Sequence, residues 1–280
     1  MQAGKFATVF GRWVQRHDSW QNPFITAPAA YENILGITDQ TAPGSLAAFL
    51  KRRSLADQKA TWLPVVWGPA YTSGASVSGQ VRAFDYAVEV KNASISSRPT
   101  AWDAQDLGWA HPTLSERLGH TPSAAWNYGV SGSYGTYLLP AAAATLPTDR
   151  GLGSYTQTTL GADVSWSHHA WQVWGEAMVA RFAVPRVGHA DTFTYFLETK
   201  YQLTPNLFAA VRWNQQLFGT VPDGAGGATR WDHNLIRVDT ALGWRFTRHV
   251  QAKLQYSHTH QPGPLAPGEE LFAAQFTVKF

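Results

Sequence analysis

The sequence predicts an all-β protein: a transmembrane antiparallel β-barrel of about twelve strands, with residues 1–280 forming a single barrel domain. Three observations support this. Apolar and polar residues alternate in many segments of about 9–11 residues, the length of a tilted membrane strand. Short and long connections alternate between these segments. The final segment places Phe272, Phe276 and Phe280 on one face, an aromatic edge that suits a membrane barrel better than a water-exposed sheet.

The composition excludes several other classes of protein. The chain has no cysteine, which excludes a disulfide scaffold and thiolate metal sites. No segment approaches the roughly 20 consecutive apolar residues of a membrane helix, and the mean hydropathy is −0.23, so a membrane protein of this sequence has to cross with strands. A net charge of +3 without an aromatic–basic module gives no indication of a nucleic-acid partner.

The strands are predicted from alternation with a period of two residues. Leu242, Trp244 and Phe246, for example, alternate with Gly243 and Arg245. The predicted strands lie at residues 4–13, 74–81, 85–91, 112–120, 126–134, 160–166, 171–181, 193–203, 207–217, 236–246, 250–260 and 271–280.

The connections separate this prediction from a soluble sandwich or propeller, which also shows alternation. Short turns, at residues 122–125, 168–170, 204–206 and 247–249, alternate with long loops rich in Gly and Pro, at residues 140–154, 185–191, 222–230 and 261–269. Aromatic residues gather near both sets of connections, as they do at the two interfaces of a membrane barrel.

Residues 14–72 form the longest stretch without strand periodicity. Within it, residues 45–55 predict a short helix with Ser45 as the N-cap. Loops of this length in a compact fold are usually functional, so a constriction loop is expected here. Its predicted solute-facing residues are Lys51, Arg52, Arg53 and Lys59. The alternative is a solvated helix face, or one that contacts lipopolysaccharide.

The N-terminal run GKFATVFG (residues 4–11), followed by a long loop, a hairpin at 74–91 and the strand YGVSGSYG (residues 128–135), resembles the phosphate-selective porin family of bacterial outer membranes. The C-terminal aromatic run resembles the assembly signal of outer-membrane barrels. The resemblance implies sixteen strands with the long loop after the fifth, whereas here that loop follows the first predicted strand. The chain is therefore expected to be the C-terminal part of a sixteen-strand porin, and it begins without a signal peptide. The alternative is a genuine twelve-strand barrel, in which the first and last strands pair.

Polar positions of the predicted strands are expected to line the lumen, with a small excess of positive charge. The predicted pore-lining residues are Lys200, Arg212, Arg237, Arg245, Lys253, Lys279, Glu176, Glu198 and Asp239. The alternative is that these charges pair across strands and only stabilise the inner face.

The predicted function is passive diffusion of small hydrophilic solutes across the outer membrane, favouring anions such as phosphate, with neither cofactor nor metal. Expected partners are outer-membrane lipid, lipopolysaccharide, small anionic solutes and two further copies in a homotrimer. One alternative is a non-conducting structural or adhesive barrel whose loops bind a partner. A second is a phospholipase-type enzyme, but no outward serine accompanies His258 in the predicted strands.

Overall fold

The structure is a computed structural model that describes residues 1–55, 61–98, 108–262 and 268–280. In these ranges the chain forms a twelve-stranded sheet in which every strand is antiparallel to its neighbours. The strands are β1 (Gln2–Phe6), β2 (Thr72–Val81), β3 (Phe84–Lys91), β4 (Thr113–Ser123), β5 (Trp126–Thr136), β6 (Thr156–His168), β7 (Trp171–Val184), β8 (Gly188–Gln202), β9 (Leu207–Phe218), β12 (Leu235–Arg245), β13 (Val250–His260) and β14 (Glu269–Val278). Between β9 and β12, β10 (Thr220–Pro222) and β11 (Ala228–Arg230) form a separate hairpin. The predicted all-β fold with about twelve strands is confirmed.

The two faces of the sheet differ in the way expected of a membrane barrel. On the outer face, apolar side chains such as Leu242 and Leu254 are exposed by 51% and 62%. On the inner face, polar side chains such as Arg212, Asn214 and Gln216 are fully buried. A soluble sheet buries its apolar face instead, so the exposed apolar face is the one that suits lipid.

Connections at one end of the strands are short, at residues 82–83, 124–125, 169–170, 203–206 and 246–249. We call this the short-turn end, and the opposite end the long-loop end. One predicted long loop, residues 185–191, is wrong: β7 continues to Val184 and β8 begins at Gly188, which leaves a three-residue turn. Arg186 (φ 63°) and Gly188 (φ 104°) adopt the positive φ values that such a tight reversal requires.

The first predicted strand is also too long. β1 ends at Phe6, and Trp13–Arg16 form a 3₁₀ helix instead of the end of a strand. The backbone leaves the sheet because the buried carboxylate of Glu89 on β3 accepts bonds from the Thr8 hydroxyl (2.5 Å) and from the Val9 N–H (3.1 Å). A tertiary contact therefore outweighs the local alternation.

Residues 7–55 and 61–71 lie against the inner face and include the short helices α1 (Ala29–Glu32) and α2 (Leu46–Arg52). The Ser45 hydroxyl caps α2 by accepting the N–H of Ala48 at 3.1 Å. Apolar residues of this segment and of β7–β9 form a buried core near the long-loop end, whose members include Phe10, Trp13, Leu35, Met178, Phe182 and Phe218. None of the helices in the described residues is both long and apolar enough to cross a bilayer.

The sheet has two free edges in the described part of the chain. β1 pairs with β2 and β14 pairs with β13, and no ladder between β1 and β14 is present among those residues. A ladder between β1 and β14 would have excluded the prediction that this chain is part of a larger barrel, and it is not seen in the described residues. The C-terminal part of a sixteen-strand porin stays a prediction.

Candidate functional site

Residues 8–33, which we call the strap, run along the inner face and bond to one strand after another. The Gly11 N–H donates to Ser131 on β5 (3.1 Å), and the Ala29 N–H donates to Asn214 on β9 (3.0 Å). The amide of Asn33 donates to Gln216, also on β9 (2.7 Å). These bonds hold the strap at a fixed depth inside the sheet.

Glu176 on β7 holds the first turn of the strap. Its buried carboxylate accepts the backbone N–H groups of Arg12 (2.8 Å) and Trp13, and the hydroxyl of Tyr31 (2.5 Å). Burial, and then the neighbouring Glu176, raise the pKa of Tyr31, which keeps its hydroxyl protonated and able to donate. One carboxylate therefore fixes two separate points of the strap.

A buried network of charges lies under the middle of the strap. Glu198 pairs with Arg16 of the strap (2.5 Å) and with Arg212 (3.5 Å), and Arg212 pairs with Asp239 (2.8 Å). Arg237 pairs with Asp239 (3.2 Å) and with Glu32 of the strap. Pairing across strands, the alternative interpretation of these predicted pore-lining residues, is therefore present for Arg212, Glu198 and Asp239, whereas Arg237 pairs within β12 and with the strap.

Lys253 on β13 also contacts the strap rather than open solvent. Its buried ammonium donates to the carbonyl oxygens of Ser19 (2.8 Å), Asn22 (3.0 Å) and Phe24 (3.1 Å). Three carbonyls use all three donors of the ammonium group. Lys253, one of the predicted pore-lining residues, therefore binds the strap through its ammonium group.

Two of the predicted pore-lining cations, Lys200 and Arg245, line a cavity of about 570 Å³. This cavity lies at the short-turn end, between the strap and strands β6–β8 and β12. Lys200 and Arg245 come from the sheet, and Arg12 and Arg16 come from the strap. Four glutamines, Gln15, Gln21, Gln172 and Gln202, add amide groups to the wall. Among the described residues, the Asp, Glu, Lys and Arg side chains that line this cavity are all lysines or arginines.

We call this cavity the basic cavity, after its cationic lining residues. Burial, and then repulsion from Arg117, lower the pKa of Arg12, and Asp163 and Asp85 oppose this shift. Beside the cavity, the indole of Trp20 lies between Arg245 and predicted pore-lining Lys279, whose cationic groups are 5.3 Å and 6.0 Å from its ring centre.

Sequence reasoning did not single out Arg12 and Arg16. Both lie on the inner face only because the chain leaves the sheet after Phe6. The sequence carried a weak signal, two arginines that flank Trp13 at the start of the long loop.

Three of the predicted constriction residues, Lys51, Arg52 and Arg53, lie at the long-loop end, on or beside α2. Arg53 donates to the carbonyl oxygen of Arg230 in the β10–β11 hairpin, and Arg52 donates to the carbonyl oxygen of Thr41 (3.3 Å). Burial lowers the pKa of Arg52, and Lys51 is exposed. Lys59 lies outside the described residues. A solute-facing role for this basic run stays a prediction.

His258, considered for an enzyme site, lies on the outer face of β13. Its ring Nδ1 is 2.7 Å from Glu270, and its neighbours across the ladders are Glu270 and Val238. No group of three or more potential metal-binding side chains occurs in the part of the chain that the structure describes. The outer face of β13 therefore offers a histidine–carboxylate pair, and the hydroxyl of Tyr256 donates to the same carboxylate (2.5 Å).

Solved structures with a similar fold are bacterial outer-membrane proteins. The anion-selective porin from Comamonas acidovorans matches 81% of this chain and 55% of its own, with a TM-score of 0.50 and 7% identity. The outer-membrane channel DcaP of Acinetobacter baumannii matches 74% of this chain and 61% of its own (TM-score 0.51, 7% identity). OmpT, an outer membrane protein of Vibrio cholerae, matches 98% and 70% (TM-score 0.51, 10% identity).

These similarities show the fold, which is that of an outer-membrane β-barrel of the porin type. Together with the exposed apolar face, they support a location in a bacterial outer membrane. The chain spans little more than half the length of the first two structures. No protein family matches the sequence, and no curated protein matches it either, so membership of the phosphate-selective porins is not confirmed.

Proposed function

We propose that the chain forms an outer-membrane channel for passive diffusion of small hydrophilic solutes, with a preference for anions such as phosphate. The observation that carries this proposal is the basic cavity, in which Arg12, Arg16, Lys200 and Arg245 converge without a carboxylate among the described lining residues. A confined passage lined by charge of one sign concentrates ions of the opposite sign. Transport of this kind needs neither a covalent step nor a cofactor.

The inner-face cations of the sheet fall into two groups: those that bind the strap and those that line the basic cavity. Arg212 and Arg237 pair with carboxylates, Lys253 donates to backbone carbonyls, and all three hold the strap. Lys200 and Arg245 have no carboxylate partner within 4.0 Å among the described residues. The field that a solute meets is therefore set by the second group together with Arg12, because Glu198 offsets the charge of Arg16.

The second candidate is a closed barrel with a structural or adhesive role. The apolar core that the long loop forms with β7–β9 favours it, because such a core fills space inside the sheet near the long-loop end. The two candidates differ in one measurable property, ion conduction through the reconstituted protein.

We expect the protein in planar lipid bilayers to show stepwise conductance, with a reversal potential in a salt gradient that indicates anion preference. Lys200→Gln combined with Arg245→Gln should lower the anion-to-cation permeability ratio by about twofold or more, because two of the four cations that line the cavity are removed. Arg150→Gln, in the exposed connection between β5 and β6, is the control and should leave the ratio nearly unchanged.

Two outcomes would contradict the proposal. Silent bilayers after verified insertion would favour the closed barrel. Conductance with an unchanged permeability ratio in the double variant would remove the basic cavity from the ion path.

A further inference from the structure

The outer face of the sheet carries a groove of about 650 Å³ across β6–β9. Its walls include the outward side chains of Leu160, Val179, Phe193 and Leu217, which are apolar. These positions belong to the face that meets lipid, so the groove opens toward hydrocarbon rather than toward the lumen. Its shape and lining suit a flexible acyl chain.

An ion pair stands at the long-loop end of this groove. Arg181 on β7 and Asp191 on β8 face each other across the ladder, and their side chains are 57% and 47% exposed. Two parallel bonds of 2.8 Å join them, from Nε to Oδ1 and from Nη2 to Oδ2. This geometry fixes the guanidinium plane at the outer surface.

The pair leaves part of the guanidinium free to bind another group. Arginine has five N–H donors, and the two bonds to Asp191 use two of them. The others belong to the Arg181 side chain that is more than half exposed on the lipid face. A charged group there is costly unless it lies near the interface and has a partner, and the planar fork of arginine matches a phosphate group well.

The position of the groove along the strands determines which leaflet of the outer membrane it meets. Arg181 lies three residues from the end of β7, and the adjoining turn has only three residues, 185–187. In outer-membrane barrels the long-loop end is the extracellular end, so this end of the groove meets the outer leaflet, in which lipopolysaccharide is the phosphate-bearing lipid.

We propose that this groove is a binding site for lipopolysaccharide, with one acyl chain in the groove and a lipid A phosphate on Arg181. Asp191 is a positioning residue, because it holds the guanidinium and does not itself contact the phosphate. The site is independent of the proposed transport, since it lies on the opposite face of the sheet from the basic cavity.

The test is native mass spectrometry of the detergent-solubilised protein titrated with diphosphorylated lipid A. Arg181→Gln combined with Asp191→Asn removes both charges and leaves no unpaired carboxylate. We expect about tenfold weaker binding, as for the loss of one charge-assisted contact. The matched control is Arg150→Gln with Asp149→Asn, an exposed pair at 3.8 Å in the connection between β5 and β6, and it should bind as the unmodified protein does.

A second variant tests the groove without touching the charges. Val179→Trp places a larger apolar side chain at an outward groove position, and we expect it to weaken binding by about tenfold as well. Leu254→Trp makes a similar change at an outward position on β13, and it should have no effect.

Three outcomes would overturn the proposal. Equal binding of diphosphorylated and fully dephosphorylated lipid A would remove the role of Arg181. Undiminished binding by Val179→Trp would remove the groove. Phosphatidylglycerol binding as tightly as lipid A would show a site for phospholipid rather than lipopolysaccharide.

Discussion

Arg212→Gln should lower the free energy of unfolding by about 3–5 kcal/mol, the range for breaking a buried ion pair on one side only. Arg212 is fully buried, pairs with Asp239 at 2.8 Å and lies 3.5 Å from Glu198. It also donates to the carbonyl oxygens of Thr26 (3.1 Å) and Ala27 (3.0 Å) in the strap. Glutamine is shorter and neutral, so both carboxylates lose a cation and the strap loses donors.

The measurement is urea unfolding in detergent micelles, followed by tryptophan fluorescence. Arg150→Gln is the control, since that exposed pair with Asp149 should be worth about 0–1 kcal/mol. Adding Asp239→Asn to Arg212→Gln should recover part of the loss, because the excess negative charge is then removed while Arg16 keeps Glu198 and Arg237 keeps Glu32. A loss below about 1 kcal/mol for Arg212→Gln would mean that the network under the strap contributes little to stability.

The outer face of the fold could be predicted from the sequence because it depends on a local pattern. Leu242 and Trp244 alternate with Gly243 and Arg245, and Leu254 lies between Lys253 and Gln255; in the structure Leu242, Trp244 and Leu254 are exposed on the outer face. Each strand carries this signal by itself, so no knowledge of its neighbours was needed.

The inner face could not be predicted in the same way, because its partners are distant in sequence. Arg16 and Glu198 are separated by 182 positions, and neither shows a pattern that indicates the other. The same limit explains the wrong end of the first strand, where Glu89 on β3 captures Thr8. Alternation alone would have continued the strand.

The charges on the predicted strands do not by themselves define the basic cavity. A count of these charges included Arg212 and Arg237, which the structure neutralises with Asp239 and other carboxylates. It omitted Arg12 and Arg16, which come from the strap and line the basic cavity, where Glu198 offsets the charge of Arg16. The local field depends on which charges remain unpaired, and pairing is a property of the folded chain.

Glu176→Ala should loosen the strap and thereby alter conduction as well as stability. Glu176 accepts from the backbone of Arg12 and Trp13 and from the hydroxyl of Tyr31, so alanine leaves three donors without this acceptor in a buried place. At about 1–3 kcal/mol for each such group, with some relaxation, we expect a loss of about 3 kcal/mol.

The expected effect on conduction follows from the position of Arg12, whose backbone Glu176 fixes and whose side chain lines the basic cavity. Single-channel records of Glu176→Ala should show larger current fluctuations and a lower anion-to-cation permeability ratio, although Glu176 is not among the cavity-lining residues. Ser131→Ala is the matched control, because it removes only one bond to the strap, from the Gly11 N–H at 3.1 Å, and should cost about 1 kcal/mol. If Glu176→Ala lost stability but kept the noise and the permeability ratio of the unmodified protein, the strap would support the barrel without shaping the ion path. A change in both properties would instead connect the carboxylate on β7 to the field in the cavity through the backbone of Arg12.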